Sequence, residues 1–199
     1  VTPSGRTEYS IVWRAATNHA PHVLPMGDAR GAEAHAINDA GDIVGQIYSD
    51  PHAVLWHGDA MVVLETPETS HSDASEITSC GAILGNTAHP FAGTWDTIWD
   101  TPSSPRELRY DYVHGPFDFA AVRAINDAGV VVGIASTPEE PMRVRAFRLL
   151  PDQRFRLLGE LAKFPGASYD TWDVNDAGQV VGEVLTDAKS HAVLWSPQG

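Results

Sequence analysis

Ala36-Ile37-Asn38-Asp39-Ala40-Gly41-Asp42-Ile43-Val44-Gly45 occurs in four versions along the chain, and its reading decides the fold. The others are Glu76-Ile77-Thr78-Ser79-Cys80-Gly81-Ala82-Ile83-Leu84-Gly85, Ala124-Ile125-Asn126-Asp127-Ala128-Gly129-Val130-Val131-Val132-Gly133 and Asp173-Val174-Asn175-Asp176-Ala177-Gly178-Gln179-Val180-Val181-Gly182. In each, apolar residues flank four polar or small residues ending in Gly. Asn or Thr can accept a backbone N–H two residues on, the middle pair fits a type I turn, and Gly takes the left-handed conformation that ends a three-residue hairpin loop. Each copy therefore predicts two antiparallel strands, a and b. The second Gly, four residues on, lies inside strand b, where a missing side chain marks a bulge or a neighbour packed against the backbone.

A second pair of strands, c and d, recurs between the hairpins. It reads Tyr9 to Trp13 with His22 to Pro25, His52 to Trp56 with Met61 to Leu64, Phe91 to Trp95 with Glu107 to Tyr110, and Arg145 to Leu149 with Phe155 to Leu158. His191 to Trp195 is a last c strand. The turn glycines Gly41, Gly81, Gly129 and Gly178 stand 40, 48 and 49 residues apart. A period of that length holding four strands is the signature of a propeller blade. The expectation is one all-β domain over residues 1–199, a small four-bladed β-propeller. Its hairpins fall at 33–48, 73–87, 121–135 and 170–185, and N- and C-terminal strands share the closing blade. Five c strands for four blades leave Tyr9 to Trp13 or His191 to Trp195 as an extra edge strand.

Composition narrows the partners. Twenty-six acidic residues against 13 basic give a net charge of −13, which excludes the basic footprint that nucleic acid or anionic lipid requires. The single cysteine, Cys80, excludes an internal disulfide and a cysteine metal cluster. No apolar run reaches membrane-spanning length. Gly-x-Ser-x-Gly, His-Glu-x-x-His, phosphate-loop and EF-hand patterns are all missing, so the sequence calls for no cofactor or metal and names no catalytic residue.

Ile125 to Gly133, Val174 to Gly182, Ile37 to Gly45, His52 to Trp56, His191 to Trp195 and Leu158-Gly159-Glu160-Leu161 together resemble the bacterial HAF-repeat proteins, often described as probable extracellular repeat proteins. The resemblance runs from about Tyr9 to Trp195. The second repeat departs from it with Thr78-Ser79-Cys80, and the His-Ala-Phe element reads His-Ala-Val twice and Arg-Ala-Phe once. It implies a secreted or periplasmic repeat fold and transfers no catalytic residue.

Alternating strand direction places the tight a–b turns at one end of the blades and the longer b–c and d–a connections at the other. Met26 to Ala32, Thr66 to Ser72, Asp111 to Asp118, Ala135 to Met142 and Lys163 to Ser168 form that loop-bearing face, the expected place for binding residues. Strand a begins there. Two residues before its Ile or Val stand His35, Ser75, Arg123 and Trp172; four before stand Glu33, Asp73, Ala121 and Asp170. These positions vary where the framework repeats, so His35, Arg123, Trp172, Glu33, Asp73 and Asp170 are the candidate ligand-binding residues for a glycan, peptide or protein. The plain alternative is a solvated mouth with local pairing, as of Arg123 with Asp170. A hydrolase or lyase with His35 as base, Arg123 as charge stabiliser and an acid from Glu33, Asp73 or Asp170 is the enzymatic alternative, and assembly through an unpaired edge strand the structural one. Trp13, Trp56, Trp95 and Trp195 read as plugs between blades, whereas Trp99 and Trp172 stand outside the pattern.

Overall fold

The computed structural model describes residues 7–14, 20–48, 50–66, 71–89, 93–108, 119–137, 139–186 and 189–197. It forms two compact units, Val1–Leu108 and Arg109–Gly199. The expected connection Asp111 to Asp118 and most of Thr66 to Ser72 lie outside the described residues.

In the first unit β1 (Ile11–Trp13) and β2 (Pro21–Val23) form a two-stranded antiparallel sheet. Two four-stranded sheets follow. One holds β3 (Gly31–Ile37), β4 (Ile43–Tyr48), β5 (His52–His57) and β6 (Ala60–Val63). The next holds β7 (His71–Ile77), β8 (Ile83–His89), β9 (Gly93–Trp99) and β10 (Pro105–Glu107). The second unit contains β11 (Phe119–Ile125), β12 (Val131–Thr137), β13 (Glu140–Leu149) and β14 (Phe155–Leu157), then a three-stranded sheet of β15 (Ser168–Val174), β16 (Val180–Leu185) and β17 (Ser190–Trp195). All strands are antiparallel to their neighbours, and the described residues contain no helix. The fold is an all-β propeller whose four blades are the sheets built on the four a–b hairpins. The strands at the two ends do not share a sheet as expected: the N-terminal c and d strands pair with each other in a sheet of their own and β15–β17 is three-stranded, so Tyr9 to Trp13 is the c strand in excess of the four blades.

The turns show why Asn and Gly recur. Gly41 has φ 84°, and its amide donates to the Asn38 carbonyl at 3.0 Å. The side chain reaches further than the two residues read from sequence. Asn38 Oδ1 accepts the amide of Asp42 at 3.0 Å, and Thr78, Asn126 and Asn175 take the amide four residues on in the same way. The chain has already turned back there, so the first amide of the returning stretch is the one in reach. In two blades the Asn also acts across the blade boundary. Asn38 Nδ2 donates to the Thr78 carbonyl at 3.1 Å and Asn126 Nδ2 to that of Asn175 at 2.9 Å. Consecutive turns are thereby stitched together. Thr78 keeps the cap but has no second donor.

The second glycine serves both roles expected of it. In every blade the register of strand a slips by one residue opposite it, between Ala34 and Ala36, Ala74 and Glu76, Val122 and Ala124, and Thr171 and Asp173. A Cβ on Gly45, Gly85, Gly133 or Gly182 would lie 1.9, 2.0, 2.2 or 2.0 Å from the carbonyl oxygen of Glu33, Asp73, Ala121 or Asp170. No relaxation of a side chain relieves a clash with backbone, so the bulge and the glycine require each other.

Packing between sheets repeats as well. The Leu that follows each d strand donates its amide to strand c, Leu24 to Ser10, Leu64 to Ala53, Leu108 to Asp96 and Leu158 to Ala146. All four leucines are buried. The carbonyl of the next residue then receives an indole N–H from the following blade: Trp56 donates to Pro25 at 2.6 Å, Trp99 to Glu65 at 2.7 Å and Trp195 to Gly159 at 2.8 Å. Leu24, Ile43, Val54 and Trp56 form one apolar cluster, Val44, Leu64, Ile83 and Trp99 a second, and Val132, Leu158, Val180 and Trp195 a third. Burying one such large side chain stabilises the fold by about 1.5–3 kcal/mol.

This corrects the reading of the tryptophans. Trp99, opposite Ile83, occupies the plug position of Trp56, opposite Ile43, and Trp95 is only half-buried opposite Thr87. Phe91-Ala92-Gly93-Thr94-Trp95 imitates a c strand four residues too early. A slip of four preserves which side chains face which way, so alternation gives no warning of it. Trp13 departs as well, being exposed.

Candidate functional site

The bulge selects one residue per blade and breaks its alternation with the strand. These residues are His35, Ser75, Arg123 and Trp172, a position at which all four repeats differ. Bulges re-aim side chains, and here a fixed framework presents four different ones.

In the first unit His35 lies between two carboxylates. Its Nδ1 is 3.1 Å from Asp73 Oδ1 and 3.0 Å from the Ala74 carbonyl, and its Nε2 is 3.7 Å from Glu33 Oε2. The carbonyl can only accept, so Nδ1 carries the proton and is directed there. Asp73 Oδ1 is consequently buried with no aligned donor among the described residues, despite the short separation. Burial pushes the Asp73 carboxyl above its ordinary value, the nearby His35 opposing and Glu33 assisting. Glu33 is held below its ordinary value chiefly because the Tyr48 hydroxyl donates to it, and the same bond pushes Tyr48 up to about 12. His35 also borders a groove of about 160 Å³ with Ile11, Val12, Leu24 and Ala34. Ser75, the second bulge residue, donates to the Leu84 carbonyl at 3.2 Å.

In the second unit Arg123 makes a forked pair with Asp170, Nε to Oδ1 at 3.3 Å and a terminal nitrogen to Oδ2 at 3.2 Å. Trp172 is exposed. Thus Glu33, His35 and Asp73 are brought together in one unit, and Arg123 with Asp170 in the other. Among the described residues no three His, Cys, Asp or Glu side chains converge to hold a metal ion.

The b–c and d–a connections of the second unit enclose a groove of about 610 Å³ lined by Glu140, Met142, Arg143, Lys163, Phe164 and Leu185, among others. Its wall is built from paired groups. Arg143 joins Glu140 at 3.1 Å, Glu160, and the Ala167 carbonyl at 3.3 Å. Phe164 stacks on His191 at 4.9 Å, and Lys163 lies 5.3 Å from the Phe164 ring centroid.

Sequence reasoning did not find Tyr48 or this arginine network. The signal for Tyr48 was a cross-strand one: Glu33 faces Gln46, so Tyr48 is its diagonal neighbour once the register is known.

No protein-family model matches the chain, and no curated protein matches it. The chain is similar to the crystal structure of Porphyromonas gingivalis dipeptidyl peptidase 4, with a TM-score of 0.63 and 12% identity, over 96% of this chain and 28% of that one. It also resembles the structure of a putative gluconolactonase, with a TM-score of 0.49 and 11% identity, over 95% of this chain and 71% of that one. The chain spans about 28% of the length of the peptidase it matches. Likeness at such identity concerns fold, and in fold the chain is a β-propeller.

Proposed function

We propose that this protein is a non-enzymatic binding module, secreted or periplasmic and of the HAF-repeat kind, that holds a glycan, peptide or protein partner on its loop-bearing face or at the bulge residues of its a strands. The observation that carries this reading is the bulge itself. One backbone device, with its glycine, recurs four times, and the residue it displays is His, Ser, Arg or Trp. A position that varies within a constant framework suits recognition, and an exposed Trp172 suits stacking on a sugar ring or an apolar side chain. Localisation rests on the repeat resemblance.

A second reading, a hydrolase or lyase, draws on the His35–Asp73 separation of 3.1 Å, since a carboxylate beside an imidazole is how a general base is oriented. Against it, the Arg123 charge is committed to Asp170 and the Tyr48 proton to Glu33.

A glycan and peptide array probed with the full chain tests the first reading, with Trp172→Ala and His35→Ala as controls. A ligand lost on Trp172→Ala at unchanged melting temperature is the expected result. A ligand untouched by either change would move the site to the outer loops; turnover of a bound compound, abolished by His35→Ala, would replace binding by catalysis.

A further inference from the structure

We propose that the groove of about 610 Å³ in the second unit is the binding site, and that it takes an extended peptide segment bearing a carboxylate beside an apolar side chain. The proposal rests on the binding function given above and names the place and the chemistry of the partner.

The groove exists because one strand departs from the blade pattern. β6 pairs with β5 from Val54, leaving only His52 and Ala53 outside the pairing, and β10 pairs with β9 from Thr97. β14 pairs with β13 only from Phe147, so Glu140 to Ala146 run on beyond it. In that overhang the register against β12 jumps from Arg145 opposite Ala135 to Glu140 opposite Thr137, which leaves Pro141 to Val144 facing Ser136 alone. A bulge of this size bends the strand and re-aims its side chains. Met142 is consequently 93% exposed, and the Arg143 guanidinium reaches across to Glu160 and the Ala167 carbonyl.

The facing wall, Glu160 to Ala167, is set by its own hydrogen bonds. The buried Tyr169 places its hydroxyl under this loop, accepting the Leu161 amide at 2.8 Å and donating to the Phe164 carbonyl at 3.3 Å. The Phe164 amide donates to the Leu161 carbonyl at 2.8 Å, and Glu160 accepts the Gly166 amide at 3.2 Å. A wall already ordered in this way loses little freedom when a ligand arrives.

Charge identifies the occupant. Glu140 accepts from Arg143 and Arg145, and Arg143 is shared between Glu140 and Glu160, so these charges answer one another. The Lys163 ammonium lies over the Phe164 ring and has no carboxylate partner among the described residues. An unanswered cation on the wall of a groove selects a negative group, even in a chain of net charge −13. Met142, Leu185 and Phe164 beside it supply apolar contact, and the flexible thioether adapts to side chains of different shape. A sugar is the poorer fit, because stacking needs a free ring face and the Phe164 ring already carries His191 at 4.9 Å and the ammonium. A peptide presents a carboxylate and an aliphatic group on neighbouring residues.

Selection of a phage-displayed library of random dodecapeptides on the full chain, followed by fluorescence anisotropy of the enriched peptides, tests this. The enriched peptides should share an acidic residue next to an aliphatic one, and should bind more weakly as salt is raised. Lys163→Glu should weaken them about fivefold or more and Met142→Ser about threefold, whereas Lys163→Arg should retain them. These positions are exposed, so the variants should keep the parent's circular dichroism. Changing the peptide's acid to its amide should reproduce the loss without touching the protein. Peptides that lack an acid, or that bind Lys163→Glu and Met142→Ser as they bind the parent, overturn the proposal. So does a peptide lost on Trp172→Ala alone, which would keep the binding function and move it to the bulge residues. An acidic glycan bound in the groove in place of any peptide overturns the class of partner. A library without a binder overturns the proposal as well, and a glycan array then decides whether the wider binding function stands or falls with it.

Discussion

His35 with Asp73 in the first unit and Arg123 with Asp170 in the second are the same contact made with different chemistry. In both, the bulge residue of one blade reaches the carboxylate two residues before the bulge of the next, at 3.1 Å and 3.2 Å. In both, the backbone carbonyl of that Asp is the oxygen against which a strand b glycine packs. The guanidinium fits its carboxylate as a fork. The imidazole directs its proton at a carbonyl instead and leaves the Asp73 oxygen without an aligned donor. One device thus supports a pair satisfied by its own geometry and another with capacity left over.

The backbone shared by the two contacts should be the most sensitive point. Gly85→Ala and Gly182→Ala both place a Cβ 2.0 Å from a carbonyl oxygen. Each should cost more than about 3 kcal/mol, in the range of severe backbone and overpacking lesions. Chemical denaturation measures it, and a loss below about 1 kcal/mol at either site, the centre of the ordinary range, would show the bulge to be adaptable.

Next in size is the packing that carries the contact between blades. Trp99→Ala should cost roughly 3–5 kcal/mol and Trp95→Ala about 1 kcal/mol or less. The reverse order in thermal melts would restore the register read from sequence.

The two carboxylates should then respond differently to loss of their charge. Asp73 has a folded value above its unfolded one, so its contribution is full below the ordinary value of 3.8 and declines as pH rises through the raised value. Asp73→Asn should flatten that decline, its stability relative to wild type improving as pH rises from acid to neutral. Asp170→Asn should instead lose up to about 1 kcal/mol at neutral pH, the scale of a solvated pair. Urea unfolding at several pH values separates them, and parallel behaviour of the two variants would refute the contrast.

The smallest effect is spectroscopic. Tyr48 ionises at about 12, so the ultraviolet titration of wild type minus Tyr48→Phe should show one phenol titrating later than the ordinary value of 10. Glu33, released from its donor in that variant, should titrate at a higher pH than in wild type.

Much of this molecule was legible as sequence because its turns are made by residues acting within four positions of themselves. Asn38 caps its own loop and Gly41 supplies the left-handed conformation, so the hairpins, the blade period and the propeller could be read without knowing any neighbour. The second glycine was legible too, since a missing side chain in a strand announces a close approach. What approaches it was not. That His35 meets Asp73, that Arg123 meets Asp170 and that Tyr48 donates to Glu33 depend on how strands and sheets align across 15 to 47 residues. The register of β9 was equally hidden, because a four-residue slip leaves the side-chain pattern unchanged. Local conformation is a property of a few consecutive residues and was determined by the sequence alone; the partner of each displayed side chain was decided by tertiary packing, which brings one blade's bulge against the next blade's strand.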